Sequence, residues 1–340
     1  MKKPSMRPHH AIIGLGVLIA LFTAASGVIA AVAQFHDDSP ITREVFENIP
    51  GAIKFAFYLV IPLVLIYGSV LFANRVKNWE RGTPDNRSTN KKNAKSRFSD
   101  FRAGVYMKTL LRDPAAGVMH SLMYFPFLIL LAVTTTLEIN HQLPESIKFL
   151  HGDVYRAYTA VGDIAGALFL IGVVWALIRR YGPKRFRPYR IRIKSKPEHA
   201  VVLLIFLSIG VTGFGAEAFR IALVESSARS AETWSIIGYP LAKIVDNSDS
   251  LTKNVHGWHQ FWWIAHVISF IAFLALLPIT MLRHMFTSPL NMYLKDQERP
   301  KGAMKPLPNL LETELETFGA STIEDFTWKQ LLDTDACTMC

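Results

Sequence analysis

The chain has 340 residues, half of them hydrophobic and only 19% charged, with a mean hydropathy of +0.22. That is too apolar for an ordinary water-soluble domain and fits a membrane protein. The formal charge of +10 would suit nucleic acid, but the basic residues gather in loops between apolar runs, so nucleic acid is set aside as a partner.

Six apolar segments approach the roughly 20 residues needed to cross a bilayer core. They run Ala11 to Ala33, Gly51 to Ala73, Val118 to Leu137, Tyr155 to Ile178, Ala200 to Leu223 and Trp258 to Leu282. The expected fold is therefore an all-α polytopic membrane helical bundle of six spans. The first segment has a second reading: Lys2-Lys3, an apolar run and Ala31-Val32-Ala33 look like a secretory signal. The run is longer than such signals have, so an uncleaved anchor is expected.

Charge orients these spans. The N-terminus, the 75–112 loop and the 179–196 loop hold three, eleven and nine Lys/Arg, whereas the opposite segments 34–54, 138–158 and 220–258 hold two, two and four. The positive-inside rule puts both termini and the basic loops in the cytoplasm, facing anionic membrane lipid. The polar stretch 74–102 reads as flexible. Beyond Ser288, Pro289, Pro300, Pro306 and Pro308 mark an extended linker, followed by short helices over 313–318 and 322–332.

Placement of the histidines carries the functional reading. Of eleven, His120, His141, His151, His256, His259, His266 and His284 lie in or at the ends of spans three, four and six. An imidazole in a bilayer needs a partner, and haem iron is one. His266 and His284 are 18 residues apart. On one continuous helix that is five turns, which puts both rings on one face roughly 27 Å apart, as two stacked haems require. His120 opens span three and His284 closes span six on the cytoplasmic side, so they pair as ligands of haem b. For the outer haem, His266 has His141 or His151 as candidate partners, with His259 as an alternative ligand. Near the outer leaflet, Asp153, Arg156 and Glu217 are candidates for proton handling at a quinone. The plainer reading makes Asp153–Arg156 and Glu217–Arg220 ion pairs at helix ends.

Cys337 and Cys340 are the two cysteines of the chain, spaced C-x2-C. That spacing opens the cluster-binding run of ferredoxins, but two thiolates do not hold a four-iron cluster. The sequence is expected to be cut within such a motif, with a 4Fe–4S cluster only if the chain continues past Cys340.

The stretches FRAGVYMKTLLRDPAAGVMHS, FLHGDVYRAYTAVGD, RIKSKPEHAV, LRHMFTSPLNMYL and FGASTIEDFTWKQLLDTDACTMC resemble actinobacterial iron–sulfur-binding reductases related to heterodisulfide reductase. In that family a membrane domain like the gamma subunit of respiratory nitrate reductase precedes a cytoplasmic iron–sulfur domain. The resemblance implies five core spans, two bis-histidine haems b and a quinol site near the outer haem, in a bacterial plasma membrane. It matches His266 and His284 to the ligands of the last helix and His120 to the inner ligand of an earlier one. Ten residues past His120, where the family has its second histidine, stands Leu130. The domains are then 1–50, an anchor and outer loop; 51–287, the haem-b-type domain; and 288–340, a linker and the start of a ferredoxin-like domain. The expected function is electron transfer between menaquinol and cytoplasmic four-iron clusters. The rivals are a haem-free anchor for a redox domain and a transporter.

Overall fold

A peptide group in lipid must find its hydrogen bond within its own segment, so long apolar runs become helices. The computed structural model describes residues 7–33, 43, 45–85, 91–108, 110–186, 188, 195–224, 229, 231–295, 309, 311–314 and 320–337. Its α-helices are α1 (Pro8–Ala33), α2 (Gly51–Trp79), α3 (Lys91–Val105), α4 (Pro114–Gln142), α5 (Gly152–Tyr181), α6 (Pro197–Leu223), α7 (Gly238–Asp246), α8 (Asp249–Thr252), α9 (Val255–Leu276), α10 (His284–Tyr293) and α11 (Trp328–Ala336). Among the described residues, the β-structure is one isolated parallel bridge, Thr83 to Thr327.

Helices α2, α4, α5, α6 and α9 are long and apolar enough to cross a membrane. The chain is thus a multi-pass helical bundle. The first expected span is α1, which has 26 residues and packs along α2. At the usual helical rise it is roughly 39 Å long. Large apolar side chains such as Phe55, Leu59 and Leu63 of α2 point outward, as a lipid solvent allows. The interior is built on Phe169, Val173, Val202, Phe206, Phe273 and Leu282, with Phe127 and Leu130 packed against them. Phe127, Phe169, Phe206 and Phe273 touch at 5.4–6.1 Å between ring centres. At the α4–α5 crossing a Cβ on Gly172 would stand 2.9 Å from the backbone of Leu122 and Met123, so glycine permits the approach.

Three elements differ from the expectation. The last span does not run on to Leu282; α9 ends at Leu276, and a new helix starts at His284. Pro278 is the cause, because it has no N–H and its ring obstructs the preceding turn. The freed backbone groups find other partners. Arg75 Nε donates to the Pro278 carbonyl at 2.9 Å, Arg283 Nη1 donates to that of Thr280 at 2.9 Å, and the Met281 N–H donates to Glu198. His266 and His284 therefore sit on separate helices, and the one-face argument for their spacing does not hold.

The stretch read as flexible contains helix α3. It lies against α10, where Gly104 admits the Met292 sulfur and Lys295 reaches Asp100 at 3.0 Å. Tertiary packing sustains a helix that polar composition alone leaves marginal. Toward the C-terminus, a short 3-10 turn over Ile323–Asp325 and the capped helix α11 replace the single helix expected over 322–332. The other expected short helix, 313–318, falls partly on 315–319, outside the described residues; Leu311 and Glu312 form a turn.

Candidate functional site

Helix α4 begins at a strong stop. Asp113 caps it by accepting the Ala116 N–H at 3.2 Å, Pro114 occupies the first turn, and Arg179 of α5 reaches the same carboxylate at 3.1 Å. This fixes His120 two turns in. His284 opens α10 just past the Pro278 turn. The two rings lie 6.3 Å apart between centres, inclined at 61°. An imidazole nitrogen bonds a first-row metal at about 2 Å, so two axial imidazoles on one metal have ring centres roughly 6 Å apart.

His284 Nδ1 donates to the Met281 carbonyl at 2.5 Å, which leaves Nε2 as the ligand atom. Burial pulls the His284 imidazole below its ordinary value, against the opposing effect of that carbonyl. The ring is then neutral, the form that binds metal. His120 Nδ1 is buried with no hydrogen-bond partner. An orphaned buried nitrogen and a matching ring gap fit a haem axial pair.

His266 lies deeper, on α9. Its Nδ1 faces the Ile209 carbonyl at 3.1 Å and Thr212 Oγ1 at 3.2 Å, both on α6. Gly213 lets the ring sit close, since a Cβ there would be 3.3 Å from the ring carbon Cε1. The carbonyl fixes the tautomer and frees Nε2. Among the described residues, no ring contact or hydrogen bond joins His266 to a second imidazole. His141 packs edge-on to Phe46 at 5.7 Å, and His151 is exposed at the N-cap of α5. His259, two turns from His266 on the same helix, is buried with its Nδ1 unpartnered. His256 is tied to Asn48 at 2.9 Å. Leu130, at the family's histidine position, packs into the phenylalanine cluster.

Beside His259 lies a buried polar cluster. Arg220 makes a two-pronged pair with Glu232 at 2.8 and 2.9 Å, and Tyr155 donates to Glu232 at 3.0 Å. Burial pushes the Glu232 carboxyl up, but the Arg220 charge and its hydrogen bonds outweigh this and hold it below its ordinary value. The plain reading paired Arg220 with Glu217; the structure pairs it with Glu232. Glu217 instead accepts from Ser235 Oγ at 3.1 Å and faces Asp163. Asp163 accepts the Ile237 and Gly238 N–H groups at 2.6 and 3.0 Å, capping α7. Asp153 and Arg156 form their i,i+3 pair at 2.8 Å, with the Asp153 side chain 91% exposed.

Sequence reasoning did not assign Asp163, Glu232 or Arg43 to this cluster. Glu232 opens a short 3-10 turn (Glu232–Trp234), 12 residues past its partner, beyond any local pairing rule. Arg43 comes from the outer loop, its Nε buried and unpartnered, and its charge acts on Tyr155, Glu217, His259 and His266. A lone arginine on the sparsely basic side was the available signal. At the other end, Cys337 is exposed directly after α11; Cys340 lies outside the described residues.

Residues 121–299 match the family described as nitrate reductase gamma subunit. Over 307 residues, 88% of this chain, it is 32% identical to the EtfAB:quinone oxidoreductase of Syntrophomonas wolfei subsp. wolfei, and covers 40% of that protein. It is 27% identical over 234 residues, 68% of the chain, to the probable iron–sulfur-binding oxidoreductase FadF of Bacillus subtilis, and covers 31% of it. The chain therefore spans less than half the length of these relatives. No solved structure matches it.

Proposed function

Because this chain belongs to the nitrate reductase gamma subunit family, we propose that it is the membrane electron-transfer module of a quinone-linked iron–sulfur oxidoreductase. Its two similar proteins are named as a quinone oxidoreductase and an iron–sulfur-binding oxidoreductase. The observation that carries the reading is the His120–His284 pair, with its 6.3 Å ring spacing and its orphaned nitrogen. Haem b held there would supply one-electron transfer within the bilayer. In this reading the pair and both termini face the cytoplasm at a bacterial plasma membrane, a side supported by the excess of Lys/Arg in the loops there. The adjacent Cys337, with Cys340, would ligate a 4Fe–4S cluster of a heterodisulfide-reductase-like domain, in a continuing chain or a partner.

The quinone end is the opposite one. His266 keeps Nε2 free for a second haem b, with His141 or His151 as the other ligand, and His259 is the alternative to His266 itself. Menaquinone would bind beside Arg43, Glu217 and His259. Glu217 and Asp163, facing carboxyls, can hold a proton and exchange it with a quinone oxygen. Asp153 and Arg156 would act at the mouth of this site, where their ion pair meets solvent. Arg220, Glu232 and Tyr155 form the rigid frame behind it.

Glu217→Gln keeps the size and removes the proton exchange. It is expected to slow menaquinol-driven reduction of the haem band by roughly a hundredfold in stopped-flow absorbance. Unchanged turnover removes Glu217 from the mechanism. A purified chain with no b-type absorbance, and no menaquinol-dependent reduction of any band, overturns the module in favour of an anchor or transporter.

A further inference from the structure

The segment that leads to Cys337 is bolted to the helical bundle along its length. A Cβ on Gly82 would stand 2.5 Å from the Trp328 backbone nitrogen, so the α2 end and this segment touch backbone to backbone. The Thr83 N–H donates to the Phe326 carbonyl at 2.9 Å, and the Trp328 N–H donates to the Thr83 carbonyl at 3.1 Å. Leu332 is buried against Val76 and Trp79 of α2, with Trp328 and Leu331 beside it. Buried Lys329 bonds Asn291 of α10 and Asp333.

The last anchor is the one nearest the histidine pair. Asp335 Oδ1 accepts from Arg75 Nη1 and from Arg283 Nε, both at 3.1 Å. Arg75 and Arg283 are the same two arginines that hold the carbonyls of Pro278 and Thr280. Asp335 is thus fastened to the turn that presents His284. One residue on, the Ala336 carbonyl accepts from Ser288 Oγ at 3.2 Å. Ser288 is one helical turn beyond His284, about 6 Å along the axis of α10. Cys337 is the next residue after that carbonyl.

We infer that Asp335 is a positioning residue: a latch, closed by Arg75 and Arg283, that holds the cysteine segment within one helical turn of His284. The latch rests on the reading of His284 as an electron-transfer ligand only for its consequence; the docking itself is independent of haem. Leu332 and the backbone bridge hold the segment to α2, some way from the histidines. The carboxylate is the charged group that ties it to the histidine-bearing turn, with the neutral Ser288 bond beyond it. Its loss should free the cysteine end while leaving the bundle and the histidine pair intact.

The test uses the full protein with its clusters and haem, and nitroxide amino acids at the exposed positions Lys77 and Thr334. Double electron–electron resonance between them reads how closely the cysteine end of α11 is seated on the bundle beside Arg75. A single narrow distance is expected in the wild type and in Asp335→Glu. In Asp335→Asn the distribution is expected to broaden, the docked-to-undocked ratio falling roughly tenfold with the weakening of two charge-assisted bonds. In the same samples, reoxidation of reduced haem by the clusters is expected to slow in Asp335→Asn and to recover in Asp335→Glu, at unchanged haem content and spectrum. A narrow distance retained in Asp335→Asn overturns the latch. A broadened distance with unchanged reoxidation overturns its role in positioning. A protein without haem overturns the reading of His284, while the distance measurement still decides the latch.

Discussion

Alanine at position 284 is expected to remove one haem b from the membrane and leave the rest of the bundle folded. The ring sits outside the last span, in a turn already fixed by Glu198, Arg75 and Thr280, so its loss leaves that turn's other bonds in place. What would disappear is the second imidazole able to hold the haem, its ring centre 6.3 Å from that of His120. His120→Ala should give the same spectrum, because either change leaves a single ligand. Both variants should lose the same component of the reduced b-type band in difference spectra of membranes. Imidazole added at millimolar concentration should restore part of it, since each substitution leaves a gap of ligand size. His266→Ala should remove a different component with its own midpoint potential. If His120→Ala and His284→Ala lose different components, the two rings serve different sites.

Breaking the Arg220–Glu232 pair should have the largest effect on stability. Both side chains are about 5% exposed or less, and Tyr155 adds a hydrogen bond to the carboxylate. Removing one partner strands the other charge away from water, at a cost of about 3–5 kcal/mol. Arg220→Met and Glu232→Gln should each lower the melting temperature in detergent by many degrees. The double variant should lie well above the sum of the two losses. The same pair sets a pH dependence. The Glu232 carboxyl is held below its ordinary value when folded, so its stabilisation is fully present above that ordinary value. It is lost as pH falls through the lower, folded one, so the loss lies on the acid side of the ordinary carboxylate range. Acid melting of Glu232→Gln should lack this component.

The apolar runs showed the spans because lipid forces every long apolar segment into one form. The charge contrast between loops sorted their ends, and so brought His120 and His284 to one side before any coordinates. Position along a span is a one-dimensional property, legible without packing. Pro278 was legible too, as a residue unable to continue a helix, yet the apolar run around it concealed the break. Helix α3 was not legible, because its stability comes from α10, nearly 200 residues away in sequence. Nor was the buried cluster around Arg220 and Glu232. Arg43, Arg220, Glu232 and the α5 residues Tyr155 and Asp163 come from four separate segments, and the local i,i+3 rule linked Arg220 to Glu217 when the folded chain joins it to Glu232. The Asp335 contacts span 52 and 260 residues and carry no local mark at all. Local chemistry names candidates, and only the fold says which of them meet.

The account turns on iron porphyrin held between α4 and α10. A pyridine haemochrome assay on purified protein, with chain concentration from amino-acid analysis, counts haem b per chain. The account predicts haem b in the wild type and one fewer per chain in His120→Ala and His284→Ala alike. A wild-type chain with no haem b, or an identical count in all three proteins, contradicts it.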